Sequence, residues 1–314
     1  MQLFGRNLVL PSAAALAGLM ALAWIFTGPS HAEDAPATPQ AEAAQPPVLT
    51  PVEPPQAGET VAPSTSGETE PCFTGQGSIK EVLDSCAAII ASGETDKDKL
   101  AAAHGNRALG FSATHDFDSA IAEMDKAIEL KPEIANLYLM RGAAYRAKQD
   151  FDKAIVDIDK AISIDANKGD FYTMRGMIYA DKGDLDKAIA ELGRKIELDP
   201  KQSQGYSKRA EFLRMKKDYD SAVADYSEVI KRDPDLPKGY IDRGWIYVLK
   251  NDLDKAEADF DQALKLHEND ASALVGRGYI KSHKGKPTDG SADISFALKL
   301  EPGIVDEIKK LGVE

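Results

Sequence analysis

"LMRGAAY", residues 139–145, decides how this chain folds. Its apolar spacing is that of a helix, yet Arg141 stands on the stripe that should pack. The phrase returns as "MRGMIY" at 174–179 and as "DRGWIY" at 242–247. A shift of 34 residues aligns all three, and the same shift divides the chain into six units without insertion: 101–134, 135–168, 169–202, 203–236, 237–270 and 271–304.

Each unit reads as two helices. Position 8 is small throughout (Ala108, Gly142, Gly176, Ala210, Gly244, Gly278), as is position 20 (Ala120, Ala154, Ala188, Ala222, Ala256, Gly290). Small residues at these points let the two axes approach closely. Position 24 is large and apolar (Met124, Ile158, Leu192, Tyr226, Phe260, Ile294). An aspartate precedes the second helix in five units, at Asp116, Asp150, Asp184, Asp218 and Asp252, where it can cap exposed N–H groups. Proline ends four units at Pro132, Pro200, Pro234 and Pro302.

These residues resemble the tetratricopeptide repeat, a 34-residue helical hairpin with small residues at positions 8, 20 and 27, an aromatic at 11 and proline at 32. The resemblance covers residues 101–304. It implies an all-α, right-handed α-solenoid of six hairpins. Local departures from the pattern include Lys195 at position 27, Lys281 at position 11, and Gly290, which should weaken the sixth unit's second helix. "GIVDEIKKLGVE", 303–314, is expected to form a short C-terminal capping helix over the exposed apolar end.

The arginine recurs at position 7 of every unit: Arg107, Arg141, Arg175, Arg209, Arg243 and Arg277. An unpaired buried guanidinium is costly, so a partner must recur with it. Position 23 is acidic in every unit: Glu123, Asp157, Glu191, Asp225, Asp259 and Asp293. The expected arrangement is a ladder of forked Arg–carboxylate pairs between helices. The alternative is an arginine row that grips an acidic ligand. Spacing alone leaves open whether each arginine pairs within or between repeats.

Function is expected on the concave wall of first helices. The family resemblance implies that positions 2, 5, 9, 12 and 13 hold a protein or peptide segment. Here these give Leu139, Ala143 and Arg146 in the second unit, Met177 in the third, and Glu211, Arg214 and Met215 in the fourth. The fifth contributes Ile241, Trp245, Val248 and Leu249, and the sixth Val275 and Tyr279. Trp245 stands out, since nothing in the packing pattern demands an indole at position 9; it is either a partner anchor or a ring leaning on its own helix. Arg214 and Lys208 are candidates to receive a carboxylate, and Met177 and Met215 add an adaptable apolar patch.

The first hundred residues differ in kind. Arg6 is the only charge before Glu33, and 13–26 are unbroken apolar, the pattern of a signal peptide cleaved after Ala32. The alternative is an uncleaved inner-membrane anchor over 13–26; both readings export the body, with the periplasm its expected location. Cleavage would change the formal charge from −13 to −14 by removing Arg6. Residues 33–71 hold nine of the 17 prolines and almost no large apolar side chain, so an extended spacer is expected, whether a reaching tether or a plain linker. Residues 72–100 should form an N-terminal cap. Cys72 and Cys86, the only cysteines, are expected to form a disulfide. Ser78 and Glu81 make a capping box for a helix with Ile79, Val82, Leu83, Cys86 and Ile90 on one face.

Net charge of −13 and a pI near 5.0 argue against nucleic acid and against adhesion to anionic lipid, so any membrane contact should come through the N-terminal segment alone. The five histidines (His31, His104, His115, His267, His283) share no helix face with a cysteine or an acid cluster. No phosphate loop or nucleophile elbow appears. No enzyme, metal or cofactor is expected. Two functions remain: an exported scaffold holding one partner in its groove, or a holdase-like or assembly chaperone with many clients.

Overall fold

The structure, a computed structural model, describes residues 70–312. The expected signal peptide, and all of the expected spacer except its last two residues, lie outside that range. Those two, Glu70 and Pro71, belong to a short helix. Among the described residues there are fifteen helices and no strand. The described residues divide into two compact units, the first ending at Asp165 and the second beginning at Ala166.

The first unit holds α1 (Glu70–Thr74), α2 (Ile79–Ala91), α3 (Lys97–Ala113), α4 (Phe117–Leu130), α5 (Ala135–Ala147) and α6 (Phe151–Ile164). The Ser78 capping box starts α2: Ser78 Oγ accepts the Glu81 N–H, and Glu81 Oε2 accepts the Ser78 N–H at 2.6 Å. Its buried face is Val82, Ser85, Cys86 and Ile89, while Ile79 is 40% exposed. Val82 and Cys86 of the expected face are buried and Leu83 and Ile90 half-buried, and Ser85 and Ile89 join them where α1 is tied to the helix. Cys72 is bonded to Cys86, the Cys72 N–H donates to Ser85 Oγ at 3.2 Å, and Asn106 Nδ2 donates to the Cys72 carbonyl at 2.8 Å. Helices α3 and α4, then α5 and α6, form the first two repeat hairpins. Ala108, Ala120, Met124, Ala127, Leu137 and Met140 fill the core between them.

The second unit continues with α7 (Gly169–Asp181), α8 (Leu185–Leu198), α9 (Ser203–Met215), α10 (Tyr219–Arg232), α11 (Pro237–Leu249), α12 (Leu253–Leu266), α13 (Ala271–His283), α14 (Pro287–Leu300) and α15 (Ile304–Lys309). Asp116, Asp150, Asp184, Asp218 and Asp252 each cap the N–H three residues on. The sixth hairpin enters its second helix through Lys286–Pro287 with no side-chain cap. Position 15 of every hairpin has positive φ: His115, Gln149, Gly183, Lys217, Asn251 and Gly285. This left-handed residue turns the chain from first helix to second, and four of the six bear the strain without being glycine.

Close approach explains the small residues. A Cβ added to Gly176 would lie 2.6 Å from Leu192 Cδ2. At Gly290 it would lie 2.4 Å from the Gly278 carbonyl, so α13 and α14 meet backbone to backbone. Helix α14 runs fourteen residues and includes Gly290, the residue expected to weaken it. Lys195 is accommodated by two absent side chains: a Cβ on Gly169 would meet its Cγ at 3.2 Å, and one on Gly205 its Cδ at 3.7 Å. Its Nζ reaches Asp170 Oδ1 at 3.4 Å.

The expected C-terminal helix forms on the last hairpin, nearer its first helix than its second. It packs on α13 more than on α14, and Ile304 and Ile308 join the cluster containing Ile241, Trp245, Val248 and Val275. Phe296, Leu298 and Leu300 of α14 stay 43%, 38% and 43% exposed. A ready apolar floor on the first helices outcompetes the solenoid's end for a segment this short.

Candidate functional site

The arginines of the packing face are engaged inside the fold. Arg141 forks onto Asp157, with Nε–Oδ2 at 2.8 Å and Nη2–Oδ1 at 2.7 Å. Arg209 makes the same fork to Asp225, Arg243 to Asp259 and Arg277 to Asp293. Arg175 donates to Glu191 at 2.9 Å. The pairing with position 23 is therefore within each repeat. Nη1 turns instead to position 25 of the preceding repeat, Asp125 at 2.6 Å for Arg141 and Ser227 at 3.0 Å for Arg243. Hydrogen bonds donated to these carboxylates hold Arg141, Arg209, Arg243 and Arg277 above the usual arginine range.

The first rung is looser: Arg107 lies 3.5 Å from Glu123, whose other oxygen meets buried His104 Nδ1 at 2.7 Å. Burial pushes the Glu123 carboxyl up, but His104, Lys126 and Arg107 together hold it below the usual range. Position 4, an aromatic slot occupied by His104, carries tyrosine in the next four repeats, and hydroxyls there donate to the carbonyl closing the previous repeat, Tyr138 to Pro132 and Tyr172 to Ala166.

A second ladder went unread in the sequence, although it recurs every 34 residues. Lysines at position 14 pair with aspartates at position 18 of the preceding repeat: Lys148–Asp118, Lys216–Asp186, Lys250–Asp220 and Lys284–Asp254. These pairs lie at the surface and add little stability.

The candidate wall is placed unevenly. In the first unit Leu139 is only 1% exposed, a core residue rather than a lining one, while Ala143 and Arg146 are half-buried on α5. In the second unit Met177 on α7 is half-buried and Met215 at the end of α9 is 48% exposed. Lys208 and Arg214 do not stand waiting for a carboxylate. Lys208 Nζ donates to Glu211 at 2.6 Å, and Arg214 Nη1 donates to the main-chain carbonyl of Leu311 at 3.0 Å.

Trp245 is not on an open surface. It is 2% exposed, edge-on to Phe260 with centroids 5.0 Å apart, and its Nε1 donates to Ser272 Oγ at 2.9 Å. Ile241, Val248 and Val275 are equally buried, with Leu249, Tyr279, Val305 and Leu311 packed against them. The chain's own C-terminal segment thus joins the floor that the sequence offered to a partner. Ser272 falls at position 2 of the sixth unit, a wall position, whereas Ile304, Ile308 and Leu311 had no repeat signal to reveal them. Beside this floor, burial pushes the Asp242 carboxyl up despite Lys238 Nζ at 3.1 Å.

Among the described residues, no three His, Cys, Asp or Glu side chains gather where they could hold a metal ion. No helix among them is long and apolar enough to cross a membrane.

Stacked 34-residue hairpins, a forked arginine ladder and a first-helix wall over an apolar floor define a helical repeat protein. Family models described as tetratricopeptide repeat match residues 106–170, 173–237 and 237–270, just over half of the 314. The chain belongs to the tetratricopeptide-repeat family. Among solved structures it is similar to a tetratricopeptide repeat protein from Parabacteroides merdae, at TM-score 0.55 and 17% identity over 75% of this chain and 93% of that one. It is also similar to Pseudomonas aeruginosa pilF, at TM-score 0.55 and 14% identity over 69% and 99%. The third is PilW, a widely conserved type IV pilus biogenesis factor, at TM-score 0.55 and 16% identity over 68% and 98%. At these identities the likeness concerns the fold. No curated protein matches the sequence.

Proposed function

We propose that this chain is an exported protein-interaction scaffold that holds a partner segment along the first helices of its second unit. One observation carries the reading: a side chain of that wall, Arg214, already grips a main-chain carbonyl, that of Leu311, beside an apolar floor. A polypeptide offers a carbonyl at every residue, so this recognition suits a peptide better than a small substrate. The ladder arginines, engaged with their carboxylates, hold the repeats and leave binding to the wall.

Export rests on the signal-like residues 1–32. The Cys72–Cys86 bond supports it, because such bonds persist in oxidising compartments. The expected mature chain begins at Glu33, which the mass of the protein recovered from the envelope checks; a full-length mass with membrane recovery would mark 13–26 as an anchor.

Site-directed photo-crosslinking in the native cells tests the scaffold reading. A crosslinker at Met177 or Met215 should capture one partner in stoichiometric yield, and one at exposed Ala224 on α10 should not. Equal capture from all three sites would remove the wall from the account. Many weak adducts would favour a chaperone with many clients.

A further inference from the structure

The C-terminal segment shows what the wall accepts. Helix α15 is six residues long, too short to be stable alone, so its helicity depends on what it packs against. Ile304 and Ile308, one turn apart, are each 6% exposed, and Val305 and Leu311 are partly buried beside them. Asp306, Glu307, Lys309 and Lys310 face outward. The segment therefore presents apolar residues at i, i+1, i+4 and i+7 to α13, and they join one apolar cluster with Ile241, Trp245 and Val248 of α11 and Val275 of α13. Just past its end, Arg214 takes the Leu311 carbonyl. Leu311 lies two residues past Lys309, the last residue of the helix, at its negative end, so a guanidinium there marks the C-terminal end of a docked helix through a main-chain carbonyl, whatever its sequence.

We propose that this wall is the docking site for an amphipathic helix of the partner protein, with that apolar pattern and its C-terminal end at Arg214. The chain's own residues 304–312 occupy the site until such a helix displaces them. This rests on the scaffold reading and adds the partner's chemistry. Only Glu301–Gly303 link the segment to α14, so it competes at the high effective concentration of a short tether. A partner helix meets the resident first, and its apparent affinity falls by the fraction of time the site is open.

The test uses the full chain carrying Ile304→Asp and Ile308→Asp, which unseats the resident. The probe is a fluorescein-labelled peptide of residues 303–314, followed by polarisation. The variant should bind it at least about tenfold more tightly than the wild type, and adding Arg214→Ala should undo much of that gain. If the double variant does not fold, Leu311→Asp replaces it, with a smaller gain expected. A folded variant that binds no better than the wild type would overturn the proposal. So would a wild-type chain that dimerises with rising concentration by exchanging these segments, since the occupant would then be a second copy. A negative peptide result with Met177 capture intact rejects this inference alone; lost capture with the peptide bound rejects only the scaffold reading.

Discussion

Replacing Trp245 by alanine separates a core indole from a free anchor. Position 9 lies off the repeat's packed stripe, so sequence reasoning expects Trp245→Ala to leave stability nearly unchanged. The structure expects otherwise. An aromatic side chain buries about 150–250 Å², which at ~25 cal/mol/Å² amounts to ~4–6 kcal/mol as an upper figure. Measured aromatic-to-alanine changes in cores cluster at about 3–5 kcal/mol. Here part of the void can close, because α15 is a short segment free to settle inward, so the lower end, ~3 kcal/mol, is the expectation. For a body of this size that corresponds to a melting shift of roughly 6–12 °C. Trp245→Phe keeps a ring near Phe260 and loses the bond to Ser272 Oγ, so it should cost about 1 kcal/mol beyond the volume change. Stacked repeats open locally, so melts by circular dichroism should be paired with native-state amide exchange over α11–α13 and α15. An alanine variant with an unchanged melt and unchanged exchange would refute the burial argument.

Arg141→Ala should strand Asp157, only 3% exposed, and cost about 3–5 kcal/mol in urea unfolding; a neutral result, or lost partner capture without lost stability, would return the arginines to the binding surface. Cys72 and Cys86 should react with a thiol label only after reduction and denaturation, and removing the bond across 14 positions should cost ~3 kcal/mol. Glu123 sits below the ordinary glutamate value of 4.5 in the folded chain, so its contribution is complete above that value and drains away as pH falls through the lower folded one. Between pH 5 and pH 3, Glu123→Gln should accordingly lose less stability than the wild type, and equal losses would contradict the assignment.

What the sequence made legible is what recurs. The hairpins, the five aspartate caps and the Arg–acid rungs each return at 34 residues, and every return repeats the physical constraint that produced it. The left-handed turn at position 15 recurs just as strictly in the backbone, but His115, Gln149, Gly183, Lys217, Asn251 and Gly285 share no chemistry that would announce it. The lysine–aspartate ladder did have a periodic signal, at positions 14 and 18. It is easily mistaken for an ordinary charged surface, because its partners lie 30 residues apart. The seat of α15 had no signal at all. Ile304, Val305, Ile308 and Leu311 mark an apolar face, and whether that face meets the end of α14 or the floor around Trp245 depends on fit between elements. For the same reason Trp245, assigned by position number to an open wall, lies in the core.

Amide exchange of residues 304–312 in the unmodified full-length chain, with and without the captured partner, reads directly whether this segment holds the wall until a partner arrives. These amides should exchange well below the rate of the isolated 303–314 peptide, and partner binding should release them while α11 and α13 stay protected. Exchange at the free-peptide rate in the chain alone would show that nothing occupies the wall. Protection that persists unchanged in the complex would show that the partner binds elsewhere.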